Sequence, residues 1–219
     1  MVFFQQSERN LEVSDRSPFV EVGGRLRYKR ECMTPEYFAR SPFTIELYGD
    51  RAVVDHFVLS FADASHLKRF GDRLRERGAR IAEGPGQWPD DFCPELDNFP
   101  DDLAMYFLTL SMPSGGLVVL IAPHCSGDRL DRDRTEDGDR SVPHVALRVD
   151  NIHIAARHWQ EKGFIPLSPT PQNDGNLCQC FLRNWAGQII ELIARKNEGH
   201  ETFSCKNIRG LRLSEVGHT

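Results

Sequence analysis

The sequence predicts an α+β protein made of two tandem βαβββ units with the helices packed outside the strands. Three observations carry this reading. The order strand, helix, strand, strand, strand is written twice; a histidine stands in the first strand of each copy, His56 and His144; and a glycine, Gly115 or Gly187, precedes each copy's last strand.

Each element follows from local pattern. Residues 1–51 form an N-terminal extension in which FVEVGGRLRY reads as a pair of hairpin strands. The first unit, 52–126, opens on AVVDHFVLSF, whose alternation puts Val54, His56, Val58 and Ser60 on one face and Asp55, Phe57, Leu59 and Phe61 on the other. Asp63 supplies an N-cap, Leu67, Phe70 and Leu74 follow at helical spacing, and Gly78 stops the helix. ARIAEG, DLAMYFLTLSM and GGLVVLIAP are the three further strands. Residues 127–140, GDRLDRDRTEDGDR, are dense in both charges without apolar periodicity and read as a solvated linker. The second unit, 141–195, repeats the order: VPHVALRVD, a helix with Ile152, Ala155, Ala156 and Trp159 on one face ending at Gly163, then FIPLS, NLCQCFLRN and GQIIELIAR. Residues 196–219 form a C-terminal extension in which IRGLRLSEV reads as another strand.

Composition narrows the function. The chain has 219 residues, enough for one domain or two small ones, and 27 Lys+Arg against 32 Asp+Glu leave a net charge of −5, which lacks the basic excess of a nucleic-acid binder. No apolar run approaches the roughly 18 residues of a membrane helix. The start, MVFFQQSERNLEVSD, has neither a basic n-region nor a sustained apolar stretch, so no secretory signal is read and a cytoplasmic protein is expected. The six cysteines contain no CxxC pair and read as reduced thiols, with Cys178 and Cys180 packed as small apolar groups. The expected partner is a small molecule, and the two extensions could pad the edges of the strands or form a homodimer contact.

His56 in VDHFVLSF, His144 in VPHVALRVD and Glu191 in NWAGQIIELIAR carry a resemblance to the vicinal oxygen chelate superfamily, which includes glyoxalase I, methylmalonyl-CoA epimerase, bleomycin-resistance proteins and extradiol dioxygenases. The resemblance covers about residues 52–195. It implies that the paired units curl into a half-open mixed β cup with a divalent metal on its floor, held by His56, His144 and Glu191.

Strand parity agrees. On the second unit's first strand Val145, Leu147 and Val149 form the apolar face that packs on helices, which turns His144, Ala146 and Arg148 toward the cup. Glu191 lies between Ile189 and Ile193, and a carboxylate in such company is costly to bury unless paired or metal-bound. By the same parity Gln179, Phe181 and Arg183 line the cup, with Phe107, Thr109 and Ser111 as first-unit counterparts. Arg148 could hold a substrate carboxylate, His124 and Cys125 could reach the rim, and the insertion GPGQWPDDFCPELDNFPDD, with Trp88, Phe92 and Phe99, could be a lid or an anchored surface loop.

Where the fullest family sites carry a fourth ligand, this chain has Val119. Two histidines and one carboxylate are the facial-triad set of non-haem Fe(II) oxygenases, and the same order resembles extradiol and 4-hydroxyphenylpyruvate dioxygenases. The chain departs from the extradiol pattern: Phe181 stands at the tyrosine position, Asn184-Trp185 replace Asp-Pro, and residues 168–176 hold no acid/base histidine. The expectation is a mononuclear metal-dependent, dioxygenase-like oxidoreductase with Fe(II), acting on a small oxygen-chelating metabolite and using Arg148, Gln179 and Phe181 around the metal. Alternatives are a redox-neutral isomerase or lyase with Zn(II), Mn(II) or Ni(II), and a metal-free drug-binding resistance protein.

Overall fold

The computed structural model describes residues 17–40, 43–96, 98–138, 140–196 and 202–216; the expectation about an export signal falls on residues 1–15, outside them. In chain order, β1 (Phe19–Val22) and β2 (Arg25–Tyr28) form the N-terminal hairpin, followed by α1 (Pro35–Arg40) and β3 (Thr44–Leu47). The first repeat is β4 (Asp50–Ser60), α2 (Ala64–Arg75), β5 (Arg80–Trp88), β6 (Met105–Ser111) and β7 (Leu117–Pro123). After α3 (Arg129–Asp137) comes the second: β8 (His144–Arg148), α4 (Ile152–Glu161), the two-residue β9 (Ile165–Pro166) and β10 (Gln172–Asn173), then β11 (Leu177–Arg183) and β12 (Ile189–Arg195). α5 (Cys205–Val216) follows.

Among the described residues the main sheet has ten strands, with the path β10-β11-β12-β8-β4-β7-β6-β5 and with β3 and β9 at the side of β4 and β11. The fold is thus α+β, an open mixed sheet. Each repeat contributes one parallel pair, β4 with β7 and β8 with β12, and the repeats meet where β4 runs antiparallel to β8. The duplication extends to the register. His56 lies opposite Leu117 and His144 opposite Ile189, each two residues past a glycine with φ +87°, a conformation that suits Gly115 and Gly187 because they lack a Cβ.

The helix-side face carries the larger core, including Phe57, Leu59, Leu120, Val145, Leu147, Ile190 and Leu192 under Leu67, Leu74, Ile152 and Trp159. Asp63 caps α2 as expected by accepting from the Ser65 and His66 amides, and Asn151 does the same for α4. The N-terminal extension buttresses this layer: Phe19, Tyr28 and Phe38 cluster around Phe57, and the buried Tyr28 hydroxyl donates to the Val58 carbonyl at 2.8 Å. It is also tied to the second repeat, where Asn184 donates to the Gly24 carbonyl and Gln188 accepts from the Leu26 amide.

Four expectations are corrected. Val54 does not share a face with His56: the β4–β8 register slips between them, leaving Asp55 as an extra residue, so Val54 joins Phe57 and Leu59 in the helix-side core. The charged stretch 127–140 is largely helical, because Asp128 caps α3 and the single buried apolar residue Leu130 anchors it. IRGLRLSEV lies in α5, since its inward groups Ile208, Leu211, Arg212 and Glu215 recur at helical spacing rather than alternating. Cys93 and Cys205, 112 residues apart in sequence, form a disulfide, and only Cys32, Cys125, Cys178 and Cys180 are free thiols. Spacing along the chain does not report a pair that tertiary folding brings together. No described helix is long and apolar enough to cross a membrane.

The buttress is open to a stability test by urea unfolding. Tyr28→Phe, which removes one buried hydrogen bond, is expected to cost about 1 kcal/mol, and Phe38→Ala, which empties a fully buried ring site, about 3–5 kcal/mol.

Candidate metal centre

His56 on β4, His144 on β8 and Glu191 on β12 come from three adjacent strands at the centre of the sheet. The pairing explains why they meet. Ala146 lies opposite His56 on one side and opposite Glu191 on the other, and directly paired residues project from the same face. His144 is two residues from Ala146 and shares that face. His56 Nε2 and His144 Nε2 are 3.3 Å apart, and Glu191 Oε2 lies 3.5 and 3.4 Å from them. All three residues are buried.

The donor set fits a divalent cation. Two ring nitrogens and a carboxylate oxygen converge in a buried spot; a cation there would take a lone pair from each donor and balance the carboxylate charge. Val119 occupies on β7 the position that Glu191 occupies on β12, since it lies opposite Val58 as Glu191 lies opposite Ala146. It offers no ligand atom.

The bulge in β4 adds a residue that alternation placed on the wrong face. Asp55 turns inward beside His56, fully buried, and its Oδ1 lies 3.1 Å from His56 Nδ1. Arg195 grips the same carboxylate with two bonds of 2.8 Å, and Arg148 reaches Oδ2 at 3.2 and 3.0 Å. Burial alone would raise the Asp55 pKa, but the hydrogen bonds and charges of Arg195 and His56 outweigh it and hold the group far below the usual carboxylate range. Because an ionised carboxylate only accepts, the bond to Asp55 places a proton on His56 Nδ1 and leaves Nε2 as the ring nitrogen that faces the cluster. In the second repeat the position matching Asp55 is Pro143, and the buried His144 Nδ1 has no hydrogen-bond partner. The inward-facing run Asp55-His56 was recoverable from sequence only through the apolar residues at 54, 57 and 59, whose odd spacing demands a bulge.

The other expected residues are spread around this centre. Arg148, half-exposed, has its guanidinium on Asp55 rather than free in the cup. Gln179 lines the cavity beside the triad and donates to the Gln172 side chain and the Asn207 carbonyl, both at 3.0 Å. Phe181 is fully buried opposite Glu191 on β11. Phe107 lines the cavity too, while the buried Thr109 hydroxyl has no partner. Arg183 donates to the Glu215 carbonyl. His124 and Cys125 donate their backbone amides to the α3 cap, Asp128, and do not line the cavity. The insertion covers the first repeat's inner face, with Trp88 edge-on to Phe99 and Phe92 edge-on to Phe107.

Sequence reasoning missed one whole wall of the cavity. Phe203 and the α5 residues Asn207, Ile208, Leu211, Arg212 and Glu215 form the wall opposite the triad. The Phe203 ring packs edge-on to His56 with centroids 5.0 Å apart, and the Arg195 guanidinium lies 5.4 Å from the Phe203 centroid.

No protein-family model and no curated protein matches the chain. Among solved structures, a triply substituted 4-hydroxymandelate synthase from Streptomyces coelicolor aligns with 76% of this chain and 55% of its own at 20% identity and a TM-score of 0.52. The chain thus spans about half the length of that protein. Methylmalonyl-CoA epimerase from Mycobacterium tuberculosis aligns with 66% of this chain and 89% of its own at 18% identity and a TM-score of 0.46. With its duplicated βαβββ order and one shared open sheet, the chain has the fold of the vicinal oxygen chelate superfamily.

Proposed function

We propose that the chain is a mononuclear metal-dependent enzyme in which His56, His144 and Glu191 hold Fe(II), and that it oxidises, with dioxygen, a small metabolite that presents two adjacent oxygens. The observation that carries this reading is the convergence of the three donor atoms within 3.5 Å of one another. Bound there, Fe(II) would supply Lewis acidity and a binding site for dioxygen. A three-residue protein set, with Val119 in place of a fourth ligand, leaves coordination positions for substrate and dioxygen together.

The chain's own residues take separate tasks. Asp55 is a positioning residue: it fixes the His56 tautomer and ring orientation, and Arg195 and Arg148 keep it ionised and in place. Gln179 is a polar group of the floor that can turn to a substrate oxygen once released from Asn207. Phe181, fully buried and paired with Glu191 across β11 and β12, gives that carboxylate an apolar neighbour on the same face.

Chelator-washed protein titrated anaerobically with Fe(II) is expected to bind one ion per chain, and His144→Ala or Glu191→Ala to retain less than a tenth of it; a wild-type chain that binds no stoichiometric metal ends the metal reading. Asp55→Asn, which keeps the shape and loses the charge, is expected to weaken metal affinity about 10–100-fold while circular dichroism stays native, whereas Arg148→Met leaves affinity within about twofold. Offered catechols and aryl 2-oxo acids after reduction, the iron-loaded protein is expected to consume oxygen and the zinc-loaded protein none. Turnover with Zn(II) or Mn(II) in the absence of oxygen would replace the oxygenase reaction with a redox-neutral one.

A further inference from the structure

We propose that α5 is a lid on the cup, fastened by the Cys93–Cys205 disulfide and released by thiol–disulfide exchange, so that access to His56, His144 and Glu191 is under redox control. The inference uses the site proposed above but concerns who can reach it, and its central test needs no bound metal.

The closed state is the one in the structure. α5 and Phe203 form one whole wall of the cavity at the triad, and the interior left between them is only about 40 Å3. That space takes a few waters, not a metabolite. Any substrate therefore requires α5 to move.

Besides its covalent tie the helix is held by scattered hydrogen bonds, from Gln179 to the Asn207 carbonyl, from Arg183 to the Glu215 carbonyl and from Lys206 to the Asn173 carbonyl. Its inward face is largely polar: Asn207 and Arg212 are almost fully buried, yet Asn207 Nδ2 and Arg212 Nη2 have no hydrogen-bond partner. Arg212 is only partly satisfied, by the Leu103 carbonyl at 2.9 Å and Glu215 at 2.5 Å. Unpartnered buried donors favour the open state, where water would satisfy them. Against them stand those hydrogen bonds, the bond from the Phe203 amide to Glu83, and the apolar contacts of Ile208 and Phe203 with the first repeat's inner face. The disulfide shifts this balance. It joins Cys205, the first residue of α5, to Cys93 in the insertion that follows β5, and so keeps the helix at a high effective concentration over the cup.

The bond is placed for exchange. Cys93 and Cys205 both border a broad groove of about 630 Å3, open to solvent, and Cys205 is partly exposed whereas Cys93 is buried. A small thiolate attacks Cys205 Sγ, forming a mixed disulfide as the Cys93–Cys205 bond breaks. The electron pair leaves on Cys93 Sγ, which already accepts a hydrogen bond from Trp88 Nε1 at 3.1 Å. A second thiolate attacks the external sulfur of the mixed disulfide and releases Cys205. In sum, two thiols supply two electrons and two protons, the protein gains two thiol groups, and the reductant leaves as its own disulfide.

Acylation of the histidines by diethyl pyrocarbonate, mapped by mass spectrometry on the metal-free chain with exposed His153 as internal reference, reads access directly. In the disulfide form His56 and His144 are expected to react at least tenfold more slowly than after reduction by a phosphine and capping of the thiols with iodoacetamide. A Cys93→Ser/Cys205→Ser chain should react at the faster rate with or without reductant; if that variant does not fold, the reduced wild type alone decides. Equal rates in the two redox forms overturn the proposal, as does rapid acylation of both histidines in the disulfide form. A chain that binds no metal but shows the redox-dependent acylation retires the metal reading and keeps the lid.

Discussion

The antiparallel seam between β4 and β8 is the constraint on which the rest depends. Each repeat by itself presents one histidine on one face of a small sheet. Only when the two first strands pair, with His56 opposite Ala146, do His56 and His144 come within hydrogen-bonding distance and Glu191, one strand further, join them. The seam also contains the bulge. One extra residue in β4 converts an alternating strand into one that sends two consecutive side chains, Asp55 and His56, to the same face, and it lets Val54 and Phe57 both reach the helix-side core despite their odd spacing. A regular β4 would bury Val54 beside His56 and send Asp55 into the apolar layer, where its charge would have no partner.

That layer of charge beside the triad is balanced internally. Asp55 is stripped of water, and ionic groups so placed are tolerated only when their bonds are nearly all made. Arg195 and Arg148 supply four of them and His56 a fifth. The same arginine, Arg195, lies under the Phe203 ring, whose other neighbour is the His56 imidazole. Ligand orientation and lid closure therefore share one set of contacts.

The parts of the molecule legible in sequence are those where a period persists. Val145, Leu147 and Val149 against His144, Ala146 and Arg148 is an unbroken alternation, and the structure gives those residues the faces it implies. The helices capped by Asp63 and Asn151 are equally plain. What escaped was whatever depends on a single residue or on distance. One inserted residue reverses parity at Asp55; one leucine, Leu130, turns a charged stretch into an anchored helix; and a run as short as 208–216, with mixed apolar and charged residues, fits either period until its packing partner is known. The disulfide is the extreme case, since nothing in a list of spacings connects residue 93 to residue 205.

The two repeats have diverged in a way that explains why the cup needs a cover from outside them. On the first repeat the inner face is apolar, with Val58, Phe107, Val119 and Ile121, and it is already covered by Trp88, Phe99 and Leu130. On the second the inner face is mixed, with His144, Gln179, Glu191 and Arg195 set among Phe181, Ile189 and Ile193. A single helix that closes over both presents Ile208 to the first half, where Arg212 also reaches the Leu103 carbonyl, and Asn207 to Gln179 of the second, so apolar and polar demands fall on one helical face. The unpartnered donors on α5 are the residue of that conflict. A helix with this composition is poorly suited to be a permanent core element and well suited to leave, which is why the bond that holds it lies at its end, in a solvent-facing groove, rather than along its packed face.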